Sequence, residues 1–459
     1  MNQYLIASSK INTNIMTSKK VIFWAFTVAL GGFLFGFDTA VISGAEKSIQ
    51  QLWDLSTMQH GFTVSIALFG TVLGSLTGAI PSERYGRKYT LFAIAILYLI
   101  SSIGTALASD WVSFLIFRFL GGIGVGISSV TAPLYISEIS PANSRGRLVA
   151  MFQFNVVLGI LVAYLSNYLL VGQGENDWRW MLGVQAFPSL IFLVAILFVP
   201  ESPRWLILKR GKVEEARRIL GIANNGADVS GIVSDIERSA YQQKQSGITA
   251  SVFSSQYRLP LALALLFAFF NQVSGINAII YYAPRIFEMA GLGKSSALLS
   301  SAGIGLVNFG FTFIAINLID RFGRRTLMFI GSFGLITTLG LVAQAFYSGN
   351  LGGYAVPVYL FIYIAFFALS QGAVIWVFIS EIFPNQVRAA GQSMGSFMHW
   401  LLAAVIAFTF PYIAETLGGG NTFMIFCGMM VLQLVFVWKM MPETKGTSLE
   451  QIEKTLILH

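Results

Sequence analysis

The stretch Glu83-Arg84-Tyr85-Gly86-Arg87-Lys88 recurs later in the chain as Asp320-Arg321-Phe322-Gly323-Arg324-Arg325. The motif Ile136-Ser137-Glu138-Ile139-Ser140-Pro141 recurs as Ile379-Ser380-Glu381-Ile382-Phe383-Pro384, and Arg145 has its counterpart in Arg388. Pro200-Glu201-Ser202 recurs as Pro442-Glu443-Thr444. All pairs are offset by roughly 240 residues, and each copy lies where an apolar run meets a charged one. The chain therefore contains two parallel copies of one structural unit.

Composition indicates that both copies lie in a membrane. Of 459 residues, 55% are hydrophobic and 11% charged, whereas about 25% are charged in soluble proteins; the mean hydropathy is +0.70. The apolar residues form twelve runs, each long enough for a helix to cross roughly 30 Å of hydrocarbon. The runs cover approximately 21–44, 61–81, 89–108, 112–136, 147–170, 180–199, 258–283, 297–319, 325–347, 355–380, 388–415 and 422–441. We expect an all-α membrane protein with twelve transmembrane helices in two six-helix, pseudo-symmetric halves.

The order of these runs predicts five segments. They are a cytoplasmic N-terminal tail (1–20), an N-terminal six-helix half (21–201), a cytoplasmic helical linker (202–257), a C-terminal six-helix half (258–441) and a cytoplasmic tail (442–459). Two parallel copies of a membrane unit are typical of transporters that give alternating access to a site between the halves.

The net charge of +8 gives the orientation of the chain. Most cations fall on one set of alternating loops, while the opposite loops carry chiefly Lys47, Arg179, Arg285 and Lys294. The positive-inside rule then places both termini and the linker in the cytoplasm, and explains the basic charge without a nucleic-acid partner. Cys427 is the only cysteine, and the three histidines are scattered, so the sequence predicts no metal site, no cofactor and no enzymatic chemistry.

Two charged residues stand out inside the predicted spans. Asp38 in span one and Arg118 in span four lie at a similar depth, about 10 Å from the outer end. Intramembrane charges are costly, and pairing lowers that cost. Burial disfavours a charged carboxylate while a nearby arginine favours it, so a movement that separates the two would change the affinity of Asp38 for a proton. We therefore expect Asp38 and Arg118 to couple proton movement to transport; the alternative is a static ion pair.

The repeated charged motifs predict a gate at the cytoplasmic ends of the helices. Opposite charges recur together in both halves, and breaking such contacts would permit inward opening. The alternative is that the cations only anchor and orient the helices. The residues assigned to this gate are Glu83, Arg84, Arg87, Glu138, Arg145, Glu201, Asp320, Arg321, Arg324, Glu381, Arg388 and Glu443.

Uncharged polar residues within the spans predict the substrate. Amides both donate and accept hydrogen bonds, which suits a ring of hydroxyl groups, and tryptophan offers an apolar face to the C–H side of a sugar. Apart from Arg118, no buried cation is present in the spans to hold an anion. A neutral, polyhydroxylated solute fits best, although each amide alone could serve as interhelical contact. These residues are Gln153, Asn271, Gln272, Asn277, Asn308, Trp376 and Trp400.

Over nearly its whole length the chain resembles the sugar porters of the major facilitator superfamily, most of all bacterial pentose and hexose:proton symporters. The resemblance rests on the repeated loops above and on four further motifs. These are 36–44 (GFDTAVISG), Arg118 with its following glycines, 200–206 (PESPRWL) and 272–277 (QVSGIN). It implies that the sugar lies between the halves, contacted by the polar residues above and by Phe35, and that Asp38 with Arg118 is the pair of proton-coupled members.

Two positions depart from the family pattern. Asn271 stands where a first glutamine is usual, and His399 stands beside Trp400 where an amide is common. Both belong to the predicted sugar site, so the resemblance does not specify which sugar is bound. Gln185 is a third difference, because some proton-coupled members place a carboxylate there.

The prediction is a functional monomer in the cell (inner) membrane that imports a neutral monosaccharide by proton symport. The alternatives are a facilitative sugar uniporter and, less favoured because of the short tails, a sugar-sensing receptor on the same scaffold.

Overall fold

The computed structural model describes residues 18–141, 144–246, 251–349, 354–384 and 387–445. Within these ranges the secondary structure is helical and contains no strand. The side chains of 239–246, 316, 320 and 389 lie outside the described part, and Asp320 of the predicted gate is one of them.

The described residues of the first half and the linker form eleven α-helices. Their bounds are α1 Lys19–Leu52, α2 Thr57–Thr77, α3 Ala79–Tyr85, α4 Arg87–Leu107, α5 Trp111–Ile139, α6 Arg145–Leu170, α7 Asp177–Gly183, α8 Ala186–Ala195, α9 Pro203–Trp205, α10 Val213–Ala223 and α11 Ser230–Ser246. The linker helices α10 and α11 overlap the charged, amphipathic segments 210–220 and 235–243, which the sequence alone favours as short helices.

In the part of the second half that the structure describes, seven further α-helices follow. They are α12 Arg258–Val273, α13 Ile276–Met289, α14 Lys294–Phe322, α15 Arg324–Ser348, α16 Ala355–Phe367, α17 Ala373–Glu381 and α18 Arg388–Lys439. A single π-helical turn, Ala368–Gly372, joins α16 to α17.

Eleven continuous helical stretches in the described ranges are long and apolar enough to cross a membrane. The last of them, α18, contains two spans, because Gly418 within it has φ +77° and ψ 161° and breaks the helix. The total of twelve agrees with the prediction. The main differences are interruptions inside spans: Gly275, with φ +86°, separates α12 from α13, and the π-helical turn interrupts the tenth span. Apolar length predicts where a span lies but not where its backbone breaks.

Glycine allows the helices of each half to approach closely. A β-carbon on Gly36 would lie 1.8 Å from the carbonyl oxygen of Val156, which brings α1 against α6. A β-carbon on Gly122 would lie 1.9 Å from the carbonyl oxygen of Ala67, which brings α5 against α2. Both distances are far below van der Waals contact, so only glycine fits.

The two halves meet along α1, α2 and α6 on one side and α13, α14 and α18 on the other. The Tyr164 hydroxyl of α6 donates to the Ile280 carbonyl of α13 at 2.6 Å. Gly61 of α2 lies against the Phe408 carbonyl of α18. We call the end of the bundle that carries Arg87 and Arg324 the inner end, following the predicted orientation, and the opposite end the outer end.

Candidate functional site

A buried ion pair joins the first helix to the fifth. The Arg118 Nη1 donates to Asp38 Oδ1 at 2.7 Å, and its Nη2 lies 3.4 Å from the Asp38 carbonyl oxygen. The two residues are 2% and 3% exposed. The Gln185 amide, also buried, lies within hydrogen-bonding reach of the same carboxylate. The structure thus brings together the two charged residues that sequence reasoning singled out, and a neutral amide accompanies them.

The break in the seventh span creates a cluster of amides. Asn271 and Gln272 end α12, and Asn277 lies in the first turn of α13, so the residues flank Gly275. Gln272 is central: its Nε2 donates to Asn271 Oδ1 at 2.9 Å, and its Oε1 accepts from Asn277 Nδ2 at 2.5 Å. A continuous helix would place residues 272 and 277 on different faces, whereas the break lets their side chains meet.

Aromatic rings adjoin this cluster. The Gln272 Nε2 lies 3.1 Å from Nδ1 of His399, and the imidazole centroid is 4.9 Å from Trp376 and 4.8 Å from Trp400. Trp400 also contacts Phe35, edge to face, at 5.3 Å. Because Phe35 belongs to α1 and Trp400 to α18, this contact links the two halves. The arrangement offers amide donors and acceptors beside flat apolar faces.

Two predicted site residues stand apart from this cluster. In the described part of the chain, no hydrogen bond or ring contact joins Gln153 or Asn308 to it. Asn308 instead accepts a 3.4 Å hydrogen bond from Thr312, one turn away. Phe154 and Phe309, their sequence neighbours, contact each other at 4.8 Å, so α6 and α14 pass close together here.

Sequence reasoning missed a second buried amide network behind the first. Gln371, in the π-helical turn, donates from Nε2 to Gln433 Oε1 at 2.6 Å, and Gln433 Nε2 donates to Ser332 Oγ at 2.9 Å. The Asn271 Nδ2 lies 3.4 Å from the Gln371 carbonyl oxygen, which connects the two networks. The same criterion that selected the amides of span seven, applied to spans ten and twelve, finds Gln371 and Gln433.

At the inner end, Arg87 is the centre of a cluster in the first half. Its guanidinium binds Glu138 through two hydrogen bonds of 3.0 and 3.1 Å, and its Nη2 contacts Glu83 at 3.1 Å. The backbone N–H of Arg87 donates to Glu201 at 3.0 Å. The Ser202 hydroxyl completes the cluster by donating to Glu138 at 2.5 Å.

The second half repeats this cluster. Arg324 binds Glu381 through hydrogen bonds of 3.2 and 2.8 Å, and its backbone N–H donates to Glu443 at 2.9 Å. The Thr444 hydroxyl donates to Glu381 at 2.6 Å, as Ser202 does to Glu138. The repeated motifs of the sequence are thus repeated sets of contacts.

The environments of the acidic residues differ between the halves. Burial raises the pKa of Glu201 above its usual value, although hydrogen bonds from the N–H groups of Ser202, Lys88 and Arg87 act to lower it. At Glu443 burial also opposes the charge, but the N–H groups of Lys445, Arg324, Arg325 and Thr444 outweigh it and lower the pKa. For Glu83, burial is outweighed by Lys209 and Arg87, and the pKa of that carboxyl is lowered.

The remaining arginines of the predicted gate make other contacts or none in the described part. Arg84 lies over the ring of Tyr85, and Arg388 donates to the Phe383 carbonyl at 3.2 Å. Arg145 and Arg321 have no described side-chain ion pair. Every described inner-end ion pair lies within one half, within the linker, or between a half and the linker, as for Lys209 with Glu83. In the described part of the chain, Arg87 and Arg324 thus contact the glutamates that the motifs suggest as partners. No such contact is described for Arg84, Arg145, Arg321 or Arg388.

A bundle of two six-helix halves, with a polar cluster and a buried ion pair near their interface, defines the class as a multi-pass membrane transporter. The family profile described as "Sugar (and other) transporter" matches residues 24–456. The chain belongs to this sugar transporter family, whose members are transporters and not enzymes.

Its relatives agree with this assignment. The chain is 38% identical to the arabinose-proton symporter of Bacillus subtilis (strain 168), over 95% of both chains. It is 35% identical to the D-xylose-proton symporter of Escherichia coli (strain K12), over 96% of both. The structure resembles the partially occluded inward-open conformation of the xylose transporter XylE from E. coli, with a TM-score of 0.82 and 34% identity, covering 93% of this chain and 99% of that one. The fold is that of the major facilitator superfamily.

Proposed function

We propose that this protein imports a neutral pentose or hexose together with a proton, by alternating access to a site between its two halves. The observation that carries the proposal is the buried Asp38–Arg118 pair. Relatives named as sugar-proton symporters support it.

Asp38 is the proton carrier in this mechanism. While Arg118 is bound, the carboxylate is compensated and remains charged. When helix movement withdraws the guanidinium, a buried and uncompensated carboxylate is strongly disfavoured, and Asp38 takes up a proton from whichever side has water access. The membrane potential contributes to uptake, about 2.3 kcal/mol per charge per 100 mV.

The sugar binds at the amide and aromatic cluster around Gln272 in this proposal. Asn271, Gln272 and Asn277 hydrogen-bond its hydroxyl groups, while Trp376, His399, Trp400 and Phe35 provide apolar faces. Gln153 and Asn308 join from α6 and α14 when the halves close around the substrate. The protein acts as a monomer in the cell membrane, with both termini in the cytoplasm. The inner-end clusters around Arg87 and Arg324 serve as the cytoplasmic gate.

The test is uptake into proteoliposomes of labelled pentoses and hexoses, with and without an inward proton gradient. We expect accumulation above equilibrium only with the gradient, and its loss in Asp38→Asn. The matched control is Asp110→Asn, because Asp110 is fully exposed at the start of the helix that carries Arg118 and asparagine can still cap that helix. Equilibration without dependence on the gradient would make the protein a uniporter, with Asp38 and Arg118 a static pair.

A further inference from the structure

Among the described residues, three ion pairs connect the two halves at the outer end. Lys47 of α1 binds Glu288 of α13, and Arg285 of α13 contacts Glu46 of α1 at 3.3 Å. Lys294 of α14 contacts Asp177 of α7 at 3.5 Å. Three of the four cations that the sequence places on the outer loops therefore form ion pairs between the halves. None of the described inner-end ion pairs joins the two halves. Among the described residues, ion pairs between the halves are therefore found at the outer end.

Glu46 is the most deeply buried member of these pairs. Its side chain is 1% exposed, and that of His60, from α2, is fully buried. Its Oε2 lies 2.5 Å from His60 Nε2, and the Arg285 Nη1 that contacts it lies 3.3 Å from His60 Nδ1. Arg285 Nη1 also donates to Gln50 Oε1 at 3.1 Å, and the Tyr282 ring packs edge-on against the imidazole at 5.9 Å. Residues of both halves thus enclose one carboxylate.

The donors and acceptors of this cluster have a consistent arrangement. A guanidinium can only donate, so the Arg285 Nη1 faces three possible acceptors in this cluster: the Glu46 carboxylate, the Gln50 carbonyl oxygen and His60 Nδ1. The charge of Glu46 is balanced by Arg285 of the other half. If the halves separate at the outer end, Glu46 loses that partner. Removing one member of a buried pair is costly, so the contact favours the closed arrangement.

We propose that Glu46, His60 and Arg285, together with the more exposed Lys47–Glu288 pair, form an outer lock that holds the outer end closed and sets the balance between inward-open and outward-open states. The lock deepens the proposed function, since it rests on alternating access. It differs from the inner-end clusters, whose ion pairs stabilise each half separately. A crevice of about 320 Å³ lies beside Glu46 at the outer end and is lined by Lys47, Gln51, Glu288 and Lys294.

The test measures distance across the outer end without sugar or a proton gradient. Cys427 is the only cysteine, so Cys427→Ser gives a cysteine-free background. Spin labels on Leu52→Cys and Ser296→Cys, both exposed, then report the separation of α1 from α14 by electron paramagnetic resonance. In the parent we expect mainly a short distance. Glu46→Gln and Arg285→Gln should increase the open-to-closed ratio by roughly tenfold or more.

The exposed pair provides a test that does not depend on a buried substitution. Lys47→Glu and Glu288→Lys should each raise the open-to-closed ratio about two- to fivefold, and the exchanged double variant should return it toward the parent. Glu175→Gln, on an exposed outer loop, is the control and should leave the distances unchanged. Unchanged distances in Glu46→Gln and in both single variants would overturn the lock. Shifted distances in a protein that transports no sugar would support the lock and refute the proposed function.

Discussion

Arg324 repeats in the second half the contacts that Arg87 makes in the first. Each guanidinium binds, through two hydrogen bonds, a glutamate at the inner end of the next span: Glu138 for Arg87 and Glu381 for Arg324. Each also donates to a backbone carbonyl five residues earlier, that of Ile319 or Ser82. The agreement extends to single atoms, which shows that the sequence repeat preserves a three-dimensional arrangement.

Because both arginines are buried and bound to several acceptors, their removal leaves charges without partners. We expect Arg87→Ala and Arg324→Ala each to destabilise the protein by about 3–5 kcal/mol, seen as a lower Tm in detergent. Arg147→Ala, which removes an exposed arginine at the same end, should leave the Tm nearly unchanged. A Tm within error of the parent for both buried variants would contradict this account.

The inner-end clusters also predict a dependence of stability on pH. Backbone N–H groups lower the pKa of Glu443 below its ordinary value of 4.5. The folded protein therefore binds this proton less readily than the unfolded chain. The resulting stabilisation is complete above the ordinary value and is lost as the pH falls through the lowered pKa. In Glu443→Gln the Tm should fall less steeply on acidification than in the parent.

Glu201 provides the opposite control, because its pKa is raised. Its contribution is present at low pH and is lost as the pH rises through the raised pKa, so Glu201→Gln should make the acid-induced fall in Tm steeper. Parallel curves for the parent and Glu443→Gln would show that the carboxylate contributes nothing to the pH dependence.

How much of this structure the sequence predicts depends on the kind of feature. Apolar runs of helical length give all twelve spans, and the repeated motifs give the contacts of Arg87 and Arg324. Asp38 and Arg118 were found because charge is rare within a span. Glu46 and His60 were missed because they lie just outside the predicted runs 21–44 and 61–81, where polar residues are ordinary. Only the approach of the second half shows that they are buried.

The amide cluster is an intermediate case. Asn271, Gln272 and Asn277 are conspicuous in an apolar run, but their mutual hydrogen bonds depend on the break at Gly275, which hydropathy does not reveal. The close helix contacts are similar. Glycine at every fourth residue, as at Gly70, Gly74 and Gly78, indicates close packing of membrane helices, but not which helix approaches or which glycine has no room for a methyl group.

Gly122 provides a direct test of that packing. A β-carbon there would lie 1.9 Å from the Ala67 carbonyl oxygen, so Gly122→Ala forces α2 and α5 apart. Overpacking of this kind costs about 1–3 kcal/mol. Gly146→Ala is the matched control, because a β-carbon at Gly146 meets nothing within 4 Å, and alanine is the better helix former. We expect a lower Tm for Gly122→Ala and an equal or higher one for Gly146→Ala; equal values would contradict the close contact.

The contact between Gln272 and His399 tests the proposed sugar site. A neutral imidazole nitrogen accepts from the buried Gln272 amide at 3.1 Å, and the ring also lies against Trp376 and Trp400. His399→Phe keeps an aromatic ring there but removes the acceptor. An unsatisfied buried amide hydrogen costs about 1–3 kcal/mol, which corresponds to a KM for sugar roughly 5- to 150-fold higher.

His399→Gln restores an acceptor and should bring the KM back toward that of the parent. If His399 had only a structural role, both variants would lower the amount of folded protein and the maximal rate equally, and the KM would not differ between them. If the KM of His399→Phe stays within about twofold of the parent while the protein remains folded, the amide cluster around Gln272 does not bind the sugar. The search would then move to Gln153 and Asn308, where α6 and α14 pass close together.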